Sequence, residues 1–501
     1  MTVPTGGWRL LLGPPLLLLA GCGWFGGDTA SEASPSTETT AASQGVGTPG
    51  STNSDSTSIE VERPVVAIDW QPCDGGFECG EVMVPVDHSQ AGGTEIPLAL
   101  IRRPATGERR GAIFVNPGGP GASGVEFVRN GFRLDAETGA AYDLIGFDPR
   151  GIGLSAGLAC SPDRSEGPLP DFSPNDAEEA AGLDAGAQAL AERCEATAGA
   201  LLLYLDTASV ARDLDLARAA VGDEQLHFFG FSFGTLIGQV YADLFPERVG
   251  HLVLDGVVDP TASLTELLTQ QAAAFERSFL ALDDACGVSL ACPDGGVVAT
   301  YDRVLDELER TGPIGQVGPA EFEYAALVTL YSEQLQVPYV DALAKAELGD
   351  LSGIEQLSDL FVGGIDFGAY AAVECTDSPR PVGLDAWDEF ASELAAIAPR
   401  FGATVANELR TCALWPVEAR PARDPVTAPG AAPILVIGTT NDPATPLVNA
   451  ELVAANLERS ALVVLEADRH TAYQASGCVQ EIVQAYFLDD VLPETTTRCS
   501  D

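Results

Sequence analysis

The chain has 501 residues, 46% of them hydrophobic and 20% charged, a composition typical of a folded globular protein. Its formal net charge is −47, from 26 Lys and Arg against 73 Asp and Glu. Such an acidic surface repels phosphate backbones and anionic lipid headgroups, which excludes nucleic acid as an expected partner. The length is too great for one compact core and predicts more than one structural region.

The N-terminus predicts an export signal. Arg9 precedes a short Leu-rich stretch that is interrupted by Pro and Gly and is too short to span a bilayer. The stretch ends in Leu-Ala-Gly-Cys at Cys22, which resembles a bacterial lipoprotein box. We therefore expect a signal peptide over 1–21, lipidation of Cys22, and export to the outer face of the cell membrane. The alternative is an ordinary cleaved signal, a chance cysteine and a secreted protein.

Residues 22–60 are rich in Ser, Thr, Gly and Pro and nearly free of large apolar residues. Such a segment cannot bury enough apolar surface to fold, so it predicts a flexible tether. From about residue 61 the composition becomes that of a folded domain. We predict a first core part over 61–260, a helical cap over 261–428 and a second core part over 429–501.

Eleven cysteines occur, and Cys22 accounts for one of them. An even number of remaining cysteines in an exported protein predicts disulfides, although the sequence alone does not determine their pairing. Pairing neighbours in chain order is the simplest arrangement: Cys73–Cys79, Cys160–Cys194, Cys286–Cys292, Cys375–Cys412 and Cys478–Cys499. No C-x-x-C occurs and only four histidines are present, so we expect no metal site and no cofactor.

The first core part begins with two strands, "EVMVPVDH" and "EIPLALIRR", which predict an antiparallel pair joined at a Gly-Gly turn. Four continuous apolar strands follow, of the kind buried on both faces of a parallel sheet: "GAIFVNP", "YDLIGFDP", "LHFFGFS" and "HLVLDGVV". Between them, "TASVARDLDLARAAVG" places Val210, Leu214, Ala217 and Val221 along one helix face.

The region 261–428 is helix-rich with little strand signal, and strand–helix alternation returns with "APILVIGTTND" and "ALVVLEADRH". The simplest account is an α/β fold with a mostly parallel sheet, interrupted by a helical cap before its last core strands. The cap is expected over the C-terminal ends of the strands, where such sheets bind ligands.

Gly230-Phe231-Ser232-Phe233-Gly234 fits G-x-S-x-G between a predicted strand and a predicted helix. This is the context of a nucleophile elbow, in which the serine is held on a strained turn and exposes its hydroxyl. The alternative is a serine in an ordinary bend softened by glycine.

A nucleophilic serine needs a base, and His470 is the best candidate. His470 follows a predicted strand at the sheet edge where Ser232 is expected, whereas His88, His227 and His251 lie elsewhere in the predicted sheet. Asp442 ends another strand and is the preferred orienting acid, with Asp255 and Asp259 as competitors. The order Ser, Asp, His is the chain order of α/β-hydrolases.

An oxyanion hole requires two N–H donors. The first is the N–H of Phe233, which directly follows the nucleophile. The second comes from "NPGGPGASG", a Gly-rich loop after an earlier strand, in which we choose Gly119. The loop lacks the patterns of a phosphate-binding or dinucleotide-binding site.

Several motifs together resemble secreted actinobacterial α/β-hydrolases of the tripeptidyl aminopeptidase and carboxylesterase-A-like family, related to proline iminopeptidases. They are "NPGGPGASG", "DPRGIGLS", "GFSFGT", "FPERVGHLVLDGVVDP", "NDPATP" and the ending "GCVQEIVQAYFLDDVLPETTTRC". The resemblance implies an α/β-hydrolase fold with a helical cap, a TAP-like C-terminal region, and the triad Ser232, Asp442 and His470. Where the family often has Gly-His-Gly around the base and Tyr after the nucleophile, this chain has Arg469-His470-Thr471 and Phe233.

The resemblance also implies a serine peptidase that removes short peptides, such as tripeptides, from free N-termini. Recognition of a free ammonium requires an acid in the cap, and "YAAVECTDSP" offers Glu374 and Asp377. The rival activities are hydrolysis of small esters by the same triad and peptide or lipid binding by a catalytically silent lipoprotein.

Overall fold

The computed structural model describes residues 66–90, 92–161, 167–287, 292–494 and 496–501. The predicted signal peptide, the lipidation site Cys22 and the tether lie outside the described residues. None of the described helices combines the length and apolar character that crossing a bilayer requires.

A ten-stranded sheet forms the centre of the described part. Its strands, in chain order, are β1 (Gln71–Cys73), β2 (Phe77–Pro85), β3 (Glu95–Arg103), β4 (Gly111–Asn116), β5 (Tyr142–Phe147), β6 (Leu226–Phe231), β7 (Val249–Asp255), β8 (Ile434–Thr439), β9 (Ser460–Leu465) and β10 (Thr497–Cys499). Their order across the sheet is β1-β2-β3-β5-β4-β6-β7-β8-β9-β10. The β1–β2, β2–β3 and β3–β5 pairs are antiparallel, and all other pairs are parallel.

Helices cover both faces of this sheet. The helices before β8 and outside the cap are α1 (Gly124–Arg129), α2 (Thr138–Ala141), α3 (Ala177–Ala198), α4 (Thr207–Val221) and α5 (Phe233–Leu244). The two after β8 are α14 (Leu447–Asn456) and α15 (Gly477–Asp489). Val210, Leu214 and Ala217 of the predicted face of α4 are buried, because this face packs on the sheet. This architecture confirms the predicted mostly parallel α/β fold.

Between β7 and β8, where the cap is predicted, the described residues form eight α-helices. They are α6 (Leu264–Ala285), α7 (Val297–Thr311), α8 (Pro319–Leu330), α9 (Glu333–Ala346), α10 (Ser352–Val362), α11 (Phe367–Asp377), α12 (Leu384–Ile397) and α13 (Gly402–Asn407). A short 3-10 helix, Arg410–Leu414, follows them. Every residue of α8 is buried, so α8 forms the centre of this helical layer.

Five disulfides are present within the described residues, and each joins the neighbours in chain order that were predicted to pair. The Cys375–Cys412 bond ties α11 to the 3-10 helix Arg410–Leu414. The Cys478–Cys499 bond ties α15 to β10, an edge strand that the sequence analysis missed. The last strand that the sequence predicts, in "ALVVLEADRH", is observed as β9, and no strand was predicted after it.

Candidate active site

Ser232 stands at a sharp turn between β6 and α5. Its φ of 53° lies in the left-handed region, which few residues other than glycine adopt. The Ser232 N–H donates to the Asp255 carbonyl oxygen at 2.9 Å, and the Thr235 N–H donates to the Ser232 carbonyl oxygen at 2.8 Å. These bonds hold a strained backbone at the C-terminal end of a strand, which is the geometry of a nucleophile elbow.

The glycines on either side of Ser232 are required by close packing. A Cβ atom at Gly230 would lie 2.4 Å from the Gly234 carbonyl oxygen, and a Cβ atom at Gly234 would lie 2.7 Å from the Asn116 carbonyl oxygen. Both distances are far below van der Waals contact. A side chain at Gly230 would therefore clash with the start of α5, and one at Gly234 would push the turn away from the neighbouring strand β4.

The Gly-rich loop after β4 lies directly against the elbow. A Cβ atom at Gly118 would be 2.8 Å from Ser232 Cβ and 2.9 Å from the Phe233 nitrogen. The Gly118 N–H donates to Asn116 Oδ1 at 2.9 Å, so it is already used. The N–H of Gly119 makes no hydrogen bond to any described residue, and Phe233 is the first residue of α5, where N–H groups lack intrahelical acceptors. Phe233 directly follows Ser232, and Gly119 follows Gly118 in the loop that contacts the elbow, so both predicted oxyanion donors lie on segments that adjoin Ser232.

Asp442 and His470 form a buried hydrogen-bonded pair. His470 Nδ1 lies 2.9 Å from each carboxylate oxygen of Asp442. The carboxylate also accepts the N–H groups of Ala444 at 2.9 Å and Thr445 at 2.8 Å, which fix its orientation. Since a carboxylate accepts and does not donate, Nδ1 carries a proton, and in the neutral imidazole Nε2 then keeps its lone pair.

The end of β7 lies between Ser232 and His470. Asp255 accepts the Ser232 N–H through its carbonyl oxygen, and a Cβ atom at the next residue, Gly256, would lie 3.0 Å from His470 Cε1. Within the described residues, His470 Nε2 is buried and has no hydrogen-bond partner. No hydrogen bond joins Ser232 to His470 among the described residues, and catalytic hydrogen bonds of this kind often tighten only when substrate binds.

The competing acids have other partners. The carboxylate of Asp255 accepts the N–H of Ala472 at 2.9 Å and of Tyr473 at 2.8 Å, and burial raises its pKa to about 6. Asp255 thereby anchors the loop that follows His470. Asp259 accepts the N–H of Thr261 at 2.9 Å and caps a turn. Only Asp442, among the three candidates, contacts the His470 ring through a hydrogen bond.

The other three histidines also have structural partners. His227 and His251 stack with their ring centroids 4.9 Å apart, in β6 and β7 respectively. Burial and the neighbouring ring lower the pKa of His227 to about 3. His88 Nε2 lies 2.8 Å from Asp213 Oδ1.

The cap reaches the site through two aromatic residues. The rings of Tyr331 and His470 meet edge to face, with their centroids 5.3 Å apart. The backbone N–H of His470 donates to the Tyr331 carbonyl oxygen at 3.1 Å. In the oxyanion loop, a Cβ atom at Gly121 would lie 3.1 Å from the Tyr370 nitrogen, at the start of α11. Cap and core therefore meet at both the base and the oxyanion loop.

Two acids of the cap, Glu374 and Glu408, lie close to these tyrosines. Glu408 accepts the hydroxyls of Tyr370 at 3.0 Å and Tyr324 at 3.1 Å, and burial raises its pKa to about 7. Burial, together with the charges of Asp377 and Glu408, raises the pKa of Glu374 to about 8. In the described part of the chain, neither acid forms an ion pair with Lys or Arg. Glu408 is half-buried.

Asp377 is not part of this pair, contrary to the sequence-based expectation that it touches substrate. It is 1% exposed, and its oxygens accept the Thr207 N–H at 2.8 Å, the Thr207 hydroxyl at 2.6 Å and an Arg423 guanidinium N–H. These contacts tie the end of α11 to the start of α4 and leave no room for a ligand. The sequence analysis missed Glu408, because only its position near Glu374 distinguishes it from the other acids of the cap. The Cys375–Cys412 bond joins the two segments that carry Glu374 and Glu408.

A parallel sheet with a serine on a strained elbow, a buried Asp–His pair and two adjacent N–H donors defines a serine hydrolase of the α/β-hydrolase fold. Comparison with known proteins agrees. A family model described as TAP-like protein matches residues 398–499.

Sequence similarity to known relatives extends over most of the chain. The serine protease Hip1 of Mycobacterium tuberculosis (strain ATCC 25618 / H37Rv) is 34% identical over 478 residues, covering 86% of this chain and 91% of the relative. Carboxylesterase B of the same strain is 36% identical over 457 residues, covering 84% and 86%. The tripeptidyl aminopeptidase of Streptomyces lividans is 31% identical over 454 residues, covering 84% of each chain. The chain belongs to the tripeptidyl aminopeptidase-like family of α/β-hydrolases and is a serine hydrolase.

Proposed function

We propose that this enzyme is an extracytoplasmic peptidase that releases short peptides, such as tripeptides, from free N-termini, with Ser232, His470 and Asp442 as its catalytic triad. The observation that carries the peptide specificity is the pair of cap acids, Glu374 and Glu408, neither of which forms an ion pair with Lys or Arg among the described residues. A substrate ammonium would supply the missing positive charge.

The reaction follows from the geometry around Ser232. The Ser232 hydroxyl attacks the peptide carbonyl carbon while His470 Nε2 takes its proton. The N–H groups of Gly119 and Phe233 donate to the developing oxyanion. His470 then returns the proton to the leaving amine, and the C–N bond breaks. Asp442 keeps the imidazole in the required tautomer throughout.

The second half of the reaction releases the short peptide. Water attacks the acyl-enzyme ester, His470 accepts a proton from that water, and the Ser232 oxygen leaves with the proton that His470 returns. The product is the N-terminal peptide with a free carboxylate. The distance between Ser232 and the acid pair sets the length of that peptide.

The acid pair explains how a free N-terminus is distinguished from a blocked one. Burial raises the pKa of both groups, so each acid is held partly protonated in the absence of a substrate ammonium. Binding of an ammonium would return both acids to the charged form and satisfy them. A blocked N-terminus brings no charge and leaves this cost uncompensated.

A second candidate is a carboxylesterase that acts on small esters. It is favoured by the similarity to carboxylesterase B, since the same triad and oxyanion donors hydrolyse esters. A small ester makes no use of the cap acids, and this difference separates the two proposals.

A substrate panel tests the proposal. The kcat/KM values of the oxidised protein are measured for free tripeptide anilides, for the same anilides with an acetylated N-terminus, and for short-chain esters. The aminopeptidase proposal predicts that the free anilides are cleaved much faster than the blocked ones. Equal or faster cleavage of the blocked anilides refutes it, and turnover of esters alone favours the carboxylesterase.

We also propose export and anchoring through a lipid on Cys22. The lipoprotein-box sequence and five disulfides, which form in oxidising compartments, support this location. Cys22→Ser is expected to shift the protein from the membrane fraction of the producing cell to the medium or to block its maturation. An unchanged, membrane-associated mature protein would contradict the anchor.

A further inference from the structure

Asp255, the last residue of β7, contacts both the segment of the nucleophile and the segment of the base in the proposed triad. Its carbonyl oxygen accepts the Ser232 N–H at 2.9 Å. Its carboxylate accepts the backbone N–H groups of Ala472, at 2.9 and 3.0 Å, and of Tyr473, at 2.8 Å. One residue of the central sheet therefore joins the elbow to the loop that follows His470.

The backbone directly after His470 is strained. Thr471 has a φ of 63°, in the left-handed region that β-branched residues rarely adopt. Its N–H donates to Asp442 Oδ2 at 3.3 Å, and the next two N–H groups along the chain donate to Asp255. Strain of this kind persists only where the surroundings fix the conformation. The two carboxylates together supply that constraint.

The Asp255 carboxylate is isolated from solvent and from basic side chains. It is completely buried, and within the described part of the chain it forms no ion pair with Lys or Arg. Burial raises its pKa to about 6, although its backbone hydrogen bonds and the charge of His470 act in the opposite direction; the charge of Asp442 adds to the rise. The ionisable groups that act on Asp255 are thus the two partners of Ser232.

We propose that Asp255 is a positioning residue for the hydrolase reaction, which holds the His470 loop at the distance from Ser232 that proton transfer requires. Its side chain is completely buried, so it acts through the backbone of the two catalytic segments and not on the substrate. Asp442 and Asp255 compete for one role in the sequence but have separate roles in this arrangement: Asp442 orients the imidazole, and Asp255 fixes the loop. The inference rests on the proposed triad and is independent of peptide specificity.

The charged form of the carboxylate is the one that fits its surroundings. A protonated Asp255, or an amide in its place, carries a donor group where the neighbouring backbone groups are themselves donors. The loop then loses part of its constraint, and a displacement of about 1 Å in a catalytic group can lower the rate roughly 100-fold. Asp255→Asn therefore imitates the protonated side chain at every pH.

The rate at which a fluorophosphonate probe modifies Ser232 tests this role, because the reaction needs the activated serine but no peptide or ester. The variant is Asp255→Asn. The matched control is Asp143→Asn, a buried aspartate that pairs with Arg109 at 2.7 Å and lies near the start of β5, at the opposite edge of the sheet. At pH 7.5 we expect Asp255→Asn to react roughly 10- to 100-fold more slowly than the wild type, and the control to keep the wild-type rate.

The pH dependence separates positioning from general damage to the fold. The rates of the wild type and Asp255→Asn are expected to converge as the pH falls below about 6, where the wild-type carboxylate takes up its proton. A general defect would lower the rate of the variant by the same factor at every pH. The proposal is overturned if Asp255→Asn reacts as fast as the control at pH 7.5, or if the ratio of wild-type to variant rate does not change with pH.

Two further measurements keep the outcome decisive. If Asp255→Asn does not fold, the wild type alone is informative: its rate should fall with two protonations, of Asp255 and His470, and a single-proton decline overturns the inference. His470→Ala distinguishes this inference from the triad on which it rests. Unchanged labelling in His470→Ala overturns both, whereas slowed labelling there with a wild-type rate in Asp255→Asn overturns the role of Asp255 alone.

Discussion

The substitution Glu408→Gln tests how the cap recognises its substrate. It keeps the size of the side chain and an oxygen that accepts from Tyr324 or Tyr370, but removes the negative charge. A hydrogen bond to a charged group contributes roughly 1.5–3 kcal/mol. The loss of that interaction with a substrate ammonium corresponds to roughly a 10- to 150-fold fall in kcat/KM for free tripeptide anilides.

The matched control for this substitution is Glu389→Gln, an exposed carboxylate of the cap helix α12. It removes the same charge from the same layer and is expected to leave kcat/KM unchanged. Hydrolysis of short-chain esters is the second comparison, and Glu408→Gln should leave it within about twofold. The reasoning is refuted if Glu408→Gln cleaves free anilides as fast as the control, or if ester and anilide turnover fall together.

Three further predictions concern the triad, the oxyanion loop and the buried acids. Asp442→Asn is expected to lower kcat by roughly 10³- to 10⁴-fold with the fold intact, because the wrong imidazole tautomer is then stabilised; steady-state kinetics and circular dichroism check both points, and near-normal turnover would contradict the assigned acid. Gly118→Ala places a methyl group 2.8 Å from Ser232 Cβ at a φ of 98°, so both turnover and Tm should fall, and an active, equally stable variant would contradict the described packing. Glu374 has a folded-state pKa of about 8 against an ordinary 4.5, so the folded protein holds this proton more tightly than the unfolded chain and loses stability as the pH rises between those values. Glu374→Gln should remove this loss, by at most about 1.4 kcal/mol per pH unit, in denaturant unfolding measured at pH 5.5 and 7.5; an equal pH dependence in both proteins would show that Glu374 is charged in the free enzyme.

Much of the site is predictable because its parts follow strands. Ser232, Asp442 and His470 each come at or after the C-terminal end of a parallel strand, and such ends meet at one edge of the sheet. Local signals therefore suffice to choose each candidate. Gly230 and Gly234 support the same choice of Ser232, since the close approaches at both glycines exclude side chains there.

The cap is harder to predict because helices alone do not determine which residues face a cavity. Glu374 and Asp377 are three residues apart on α11, so they share a helix face and are equivalent in the sequence. The structure separates them: α4 and Arg423 satisfy Asp377, whereas Glu374 has no hydrogen bond to a described residue. Glu408 lies 34 residues after Glu374 in the sequence, and only tertiary packing brings the two acids close together.

The edge strand β10 was missed for the same reason. The three residues of β10 are too few for a periodic pattern, and their pairing with β9 depends on contacts distant in sequence. Local patterns predict elements and strand-end residues, whereas contacts between distant segments require the structure.

Covalent labelling tests the central claim most directly, namely that His470 activates Ser232. The oxidised protein is treated with a fluorophosphonate probe, and the modified residue is identified by peptide mass spectrometry. The account predicts a single modified serine, Ser232, with labelling abolished in Ser232→Ala and slowed by orders of magnitude in His470→Ala. Absence of labelling in the folded wild type, or unchanged labelling of Ser232 in His470→Ala, would contradict the account.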